Sequence, residues 1–324
     1  MIISGMPGDM LTTFEYLSHL SNVMIALDPE EIAKELKLLA AKKRIGDAKV
    51  AVFTSDFYLE DSPWLNYLLK GKLRAEYIGA RELGMRYKSI APKEACGLAE
   101  EWTSTATVME PTLEDITKSA KLYLAMKGMV EERKCNYASV IGCASIAKTG
   151  KIDTQFCFAV AKLCDEGVPT ECWTGDAILP VIFLHTLSEK TPFICDLRLT
   201  EGNTITFTHC AVSLEVASAP VPYTLRDWHG QRGKVTGYCQ MPKGEVTISS
   251  CSMDMEKMLV TKGKITDCKD LGGDNCRVSL WVEVEDVKRF IHNALSSEYA
   301  VVYGDCVEDV KQLGKMVGIE IIEV

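Results

Sequence analysis

No two of the thirteen cysteines stand at C-x-x-C spacing, which argues against a zinc ribbon and a thioredoxin-type redox centre. Their number is odd, and the N-terminal stretch MIISGMPGDMLTTFEYL lacks a basic region followed by an apolar core. Free thiols in a reducing cytoplasm are therefore expected, most of them acting as small core hydrophobes. Also absent are G-x-G-x-x-G, G-x-x-x-x-G-K-[ST] and G-x-S-x-G, so no dinucleotide loop, phosphate loop or serine-nucleophile elbow is expected. The longest apolar run, Ala177 to Leu187, falls well short of the ~20 residues that span a bilayer, so no membrane segment is expected. Positive charge is in deficit. With 36 Lys and Arg against 45 Asp and Glu the formal net charge is −9, a field that repels nucleic acid and anionic membrane surfaces. Histidine is sparse, and His19, His229 and His292 show no metal-ligand spacing to each other, while His185, inside the apolar run, reads as a satisfied core residue.

What remains is a chain of 324 residues, 47% hydrophobic and 25% charged, long enough for two or three ordinary globular domains. Asp28-Pro29-Glu30-Glu31 starts a helix over about 29–43. Lys49 to Phe53 reads as a buried strand and Leu65 to Leu83 as mixed helix and turn. Thr112-x-x-Asp115 resembles a capping box, opening a helix to about Lys134 with Ile116, Ala120, Tyr123, Met126 and Val130 on its apolar stripe. Tyr137 to Cys143 reads as a strand covered on both faces, Thr154 to Asp165 as a helix, Asp176 as the residue opening another, and Thr191 to Asp196 as a short strand. This alternation predicts a doubly wound, parallel α/β domain over 1–195. Over 196–324 the period changes to short strands between Gly, Asn, Asp and Pro turns, predicting a β-rich, barrel-like domain that ends in helix, strand, helix and strand.

Three polar groups stand where chemistry is expected. Asp196 ends a short apolar strand, where open α/β sheets place ligand-contacting residues. A carboxylate there binds a divalent cation, moves a proton, or simply caps a turn. His209 shares the face of Ile205 and Phe207 on the strand 204–210 and needs a partner, either a carbonyl, a carboxylate or a metal. Asp176 is either the N-cap of its helix or part of the same crevice.

The order of segments resembles the L-fucose isomerase and L-arabinose isomerase superfamily. CDEGVPTECWTGD with TPFICDL, NTITFTHC with GKVTGYCQMPKGEVTISSCS, and YAVVYGDCVEDVKQLGKMVGIEII are similar to successive blocks of that family. The resemblance implies an aldose–ketose isomerase fold, a small-molecule sugar as substrate, Mn2+ or a similar divalent cation, and homo-oligomers, trimers or hexamers. It assigns Asp196 and His209 to the metal, with Glu298 at the position of a metal-binding histidine. Trp173 stands where the family has its catalytic glutamate, which leaves Glu171, Asp176 and Asp196 as the proton-handling carboxylates. The chain is short of the family's first N-terminal domain. Two functions follow from the resemblance: a divergent metal-dependent isomerase working through an ene-diolate, or a catalytically silent sugar-binding or regulatory homologue.

Overall fold

The computed structural model describes residues 2–3, 24–25, 29–55, 73–216 and 222–324. Asp28 and residues 65–72, read above as a helix cap and as mixed helix and turn, lie outside them. Two short strands, β1 (Ile2–Ile3) and β2 (Met24–Ile25), pair in parallel. Pro29 and two glutamates in the first turn then start α1 (Pro29–Gly46). The apolar run of β3 (Lys49–Thr54) is buried beyond its first residue, as a strand covered on both faces must be. Residues 73–83 correct the sequence reading: β4 (Arg74–Gly79) is followed by α2 (Ala80–Ser89). β4 is an edge strand, and its exposed and half-exposed Arg74, Glu76 and Tyr77 hide the apolar signal that marks interior strands. The chain continues through α3 (Pro92–Thr105), β5 (Val108–Met109) and α4 (Leu113–Glu132). The capping box of α4 forms as expected, with the Asp115 amide donating to the Thr112 hydroxyl at 3.2 Å and the Thr112 amide to the Asp115 carboxylate at 3.3 Å.

Next come β6 (Tyr137–Ile141), α5 (Cys143–Gly150), α6 (Cys157–Asp165), β7 (Thr170–Trp173) and α7 (Ile178–Ser188). The parallel sheet runs β4-β3-β6-β7. Alternation along its strands divides the core. Val50, Val52 and Tyr137 pack with α1 and α7, whereas Ala51, Phe53, Ala138 and Val140 pack with α2 to α6. α2 and α5 cross with almost no room: a Cβ on Gly84 would lie 2.1 Å from the Gly150 carbonyl oxygen.

The second half contains β8 (Phe193–Glu201), β9 (Thr204–His209), β10 (Tyr223–Trp228), β11 (Gln231–Cys239), β12 (Gly244–Cys251), β13 (Lys257–Lys269) and β14 (Val278–Val284), then α8 (Val287–His292), β15 (Glu298–Tyr303), α9 (Val307–Val317) and β16 (Glu320–Glu323). β12-β15-β8-β9-β14-β13 is one antiparallel sheet, and a further β12–β13 pairing closes it into a six-stranded barrel with β16 attached outside β13. Phe207, Phe290 and Tyr299 pack together in its core. The fold is thus a doubly wound parallel α/β sheet followed by a β-barrel. β10 and β11 stand aside and form a second sheet with β5, borrowed from the first half. Tyr223 fastens this junction: its hydroxyl donates to the Trp102 carbonyl at 2.7 Å, and Phe158 lies against both Trp102 and Tyr223. Among the described residues no helix is long and apolar enough to cross a membrane.

Candidate active site and a second side-chain cluster

β7 ends its parallel sheet beside the first strands of the barrel, the kind of crevice in which α/β sheets place ligands. Glu171 on β7 is fully buried and lies in register with Ser139 on β6. It accepts the Ser139 hydroxyl, and the Gly175 amide at 2.9 Å. Asp196 on β8 pairs directly with Glu298 on β15. It therefore lies within a longer strand than expected, because β8 runs on to Glu201 with a bulge between Leu197 and Leu199. Glu298, fully buried, accepts the Thr174 hydroxyl at 2.5 Å through Oε2, while its Oε1 has no donor.

Asp176 is not a helix cap: the N-cap of α7 is Ala177, which makes no side-chain bond. The Asp176 Oδ2 instead accepts the Ser296 hydroxyl at 3.1 Å, and its buried Oδ1 is unpartnered. Ser296 also receives the Glu298 amide at 3.0 Å. Thr174 and Ser296 thus tie the loop after β7 to the start of β15, and neither stood out in the sequence.

The structure brings Glu171, Asp176, Asp196 and Glu298 close enough for the charges of the other three to act on Glu298. Burial and the neighbouring Glu171 hold the Glu298 carboxyl well above the usual carboxylate range. Burial pushes Glu171 up to about 7, with Ser139, the Gly175 amide and Glu298 pulling the other way. Burial also raises Asp176 and Asp196, the latter opposed by His209. Two buried carboxylates this close share one proton or one cation.

His209 is buried at the end of β9 with both ring nitrogens engaged. Nδ1 accepts the Ala211 amide at 3.0 Å, so Nε2 carries the proton and donates to the Cys172 carbonyl at 3.1 Å. Of the partners open to it from sequence, a carbonyl is the one observed. Trp173, at the end of β7, has φ 138° and an indole 51% exposed. A positive φ on a bulky residue is strained and concentrates at functional sites.

A second cluster escaped sequence reasoning. Cys210, His229 and Cys276 place their ligand atoms within 4.8 Å of one another, an arrangement able to hold a metal ion. They come from the end of β9, the β10–β11 turn and the loop before β14, so no local spacing announces them. All thirteen cysteines are free, and all but Cys96 and Cys276 are buried, in keeping with the expectation of core thiols.

No protein-family model matches the chain. Over 175 residues it is 26% identical to proteins named sulfoquinovose isomerase from Priestia aryabhattai and Priestia megaterium. The match covers 51% of this chain and 39% of either relative, so the chain spans well under half the length of the relatives it matches. The kinship is distant and lies with a sugar isomerase by name, although not one of fucose or arabinose.

Proposed function

We propose that this chain is a divergent metal-dependent carbohydrate isomerase that interconverts an aldose and a ketose. The observation that supports this most is the buried Glu171–Glu298 pair, with Asp176 and Asp196 beside it. Moving a carbonyl between C1 and C2 requires a base that takes the C2 proton and returns it to C1, and a carboxyl titrating near 7 serves both directions. Glu171 is that group, oriented by Ser139 and the Gly175 amide. Asp196 and Glu298, with His209, are the ligands proposed for Mn2+ or a similar cation. The donor-less Oε1 of Glu298 and Oδ1 of Asp176 fit a hard, oxygen-preferring ion. His209 would first have to release the Ala211 amide from Nδ1, the nitrogen that carries its lone pair, or move the Nε2 proton to Nδ1 and give up both partners. When bound, such an ion polarises the sugar's carbonyl and hydroxyl oxygens. The remaining steps belong to the protein: Glu171 moves the proton, Thr174 and Ser296 hold the loop over the site, and Trp173 offers a flat apolar surface to the sugar ring. We assign the protein a homo-oligomeric, trimeric or hexameric state, by analogy with the resembling superfamily, and sedimentation tests it.

The test is ketose formation and C2 deuterium exchange across a panel of aldoses, with and without Mn2+. Turnover that falls about 100-fold or more in Glu171→Gln supports the proposal. Absence of turnover with every aldose, or full activity in Asp196→Asn, overturns it. The alternative of a silent sugar-binding homologue is favoured by one feature, Trp173 in the position of the family's glutamate. It predicts that sugars raise the melting temperature without being converted.

A further inference from the structure

We propose that Cys210, His229 and Cys276 form a binding site for a thiophilic divalent cation, of which zinc is the type, separate from the carboxylate cluster. The interatomic distances fit. A tetrahedral ion with Zn–S near 2.3 Å and Zn–N near 2.0–2.1 Å sets its ligands about 3.5 to 3.8 Å apart. The Cys276 thiol already lies 3.4 Å from the His229 Nε2, and the three ligand atoms all fall within 4.8 Å of one another. Closing on an ion therefore needs side-chain adjustments of an ångström or less.

The surroundings position these ligands. His229 is held by its own backbone and by its neighbour: it stands at φ 49° beside Gly230 at φ 69°, in the two-residue turn between β10 and β11. Such turns favour Asn, Asp or Gly at the first position, so an imidazole there is a local misfit that its side chain must justify. The Trp228 ring stacks on that imidazole at 4.1 Å between centroids and 16° between planes, which fixes its direction. Arg277, next to Cys276, locks the base of the turn by donating to the Asp227 carbonyl at 3.0 and 2.8 Å. The Thr208 side chain lies close enough to act on the Cys276 thiol, and Cys157 on that of Cys210. Such outer neighbours help to hold metal ligands in place.

Two thiolates and one neutral imidazole are a softer donor set than the carboxylates, and they select zinc, or cobalt in its place, over manganese. Binding releases two thiol protons, so the ion and its two thiolates carry no net charge. Three protein ligands leave a fourth coordination position for water or a small ligand, as open zinc sites do. His229 lines a cleft of about 850 Å³ between the start of α4 and the β10–β11 turn, which gives such a ligand a way in.

The probe is Co2+, titrated into the reduced, chelator-stripped protein and followed by absorption. The expected result is one equivalent bound, with an intense near-ultraviolet thiolate-to-cobalt charge-transfer band that stoichiometric zinc abolishes. The band should be lost in Cys276→Ser, and in His229→Asn, which keeps a residue suited to the turn. Cys96→Ser, outside the cluster, should leave it intact, and so should Glu171→Gln, which separates this site from the isomerase reading. Since Cys276 is only half-buried, its serine variant is the one to rely on if Cys210→Ser fails to fold. No charge-transfer band, a band that survives Cys276→Ser, or loss of two titratable thiols to a Cys210–Cys276 disulfide that takes up no metal would overturn the proposal.

Discussion

Glu171 and Glu298 make a prediction that runs against the usual behaviour of carboxylates. Their folded-state pKa values lie above the unfolded ones, so the native protein keeps a proton that the unfolded chain gives up. The stabilisation is complete below the unfolded value near 4.5 and is lost as pH rises through the folded value, about 7 for Glu171. Urea unfolding with chelator present should show stability falling by on the order of 3 kcal/mol from pH 4.5 to 7 on account of Glu171. Glu171→Gln should flatten that slope, and a wild type that gains stability over this interval would refute the assignment. Trp173 makes a second prediction. Glycine adopts its φ without strain, so Trp173→Gly should raise the unfolding free energy by about 1 kcal/mol, checked by thermal melts, while sugar binding weakens. Asp176 and Asp196 could be picked from the sequence because each sits beside an apolar strand or helix whose period is plain, whereas Glu171 and Glu298 were reached only through the family resemblance. Cys210, His229 and Cys276 could not, since turns and strand ends from three distant segments bring them together.

At the scale of elements, legibility followed burial and capping. α4 was readable because its capping box and five-residue stripe are both local. Thr112→Ala should therefore cost about 1 kcal/mol in chemical denaturation. β4 and β10 were missed for the opposite reason. Neither is buried along its whole length: Arg74 is exposed, and Glu76, Arg226 and Asp227 meet partners supplied by other parts of the fold. The α2–α5 crossing was equally silent, because a glycine in a helix carries no mark of what approaches it. Gly84→Ala should lower stability by several kcal/mol, more than any surface substitution, because the Gly150 backbone cannot yield as a side-chain tip would. An unchanged denaturation midpoint in that variant would show that the two helices can part.

For the whole molecule, one apolar cluster runs from the parallel sheet through α2 to α6 and on into the barrel. The described residues should therefore unfold in one cooperative transition, with helix signal and tryptophan fluorescence lost together. Separate transitions by the two probes would mean that the halves are independent. The change from α/β alternation to short strands was visible in the sequence. The β8–β15 and β9–β14 ladders that complete the barrel were not, nor was the loan of β5 to β10, because each joins segments far apart in the chain.

That loan also bears on synthesis. Thr107 is paired to Tyr223 across 116 residues. While the intervening chain is being translated, at roughly 5–20 residues per second, the face formed by Trp102 and Phe158 waits on the order of ten seconds for its cover. The nascent first half therefore exposes an aromatic surface to solvent until β10 arrives, the kind of transient apolar surface that makes a folding chain prone to aggregation.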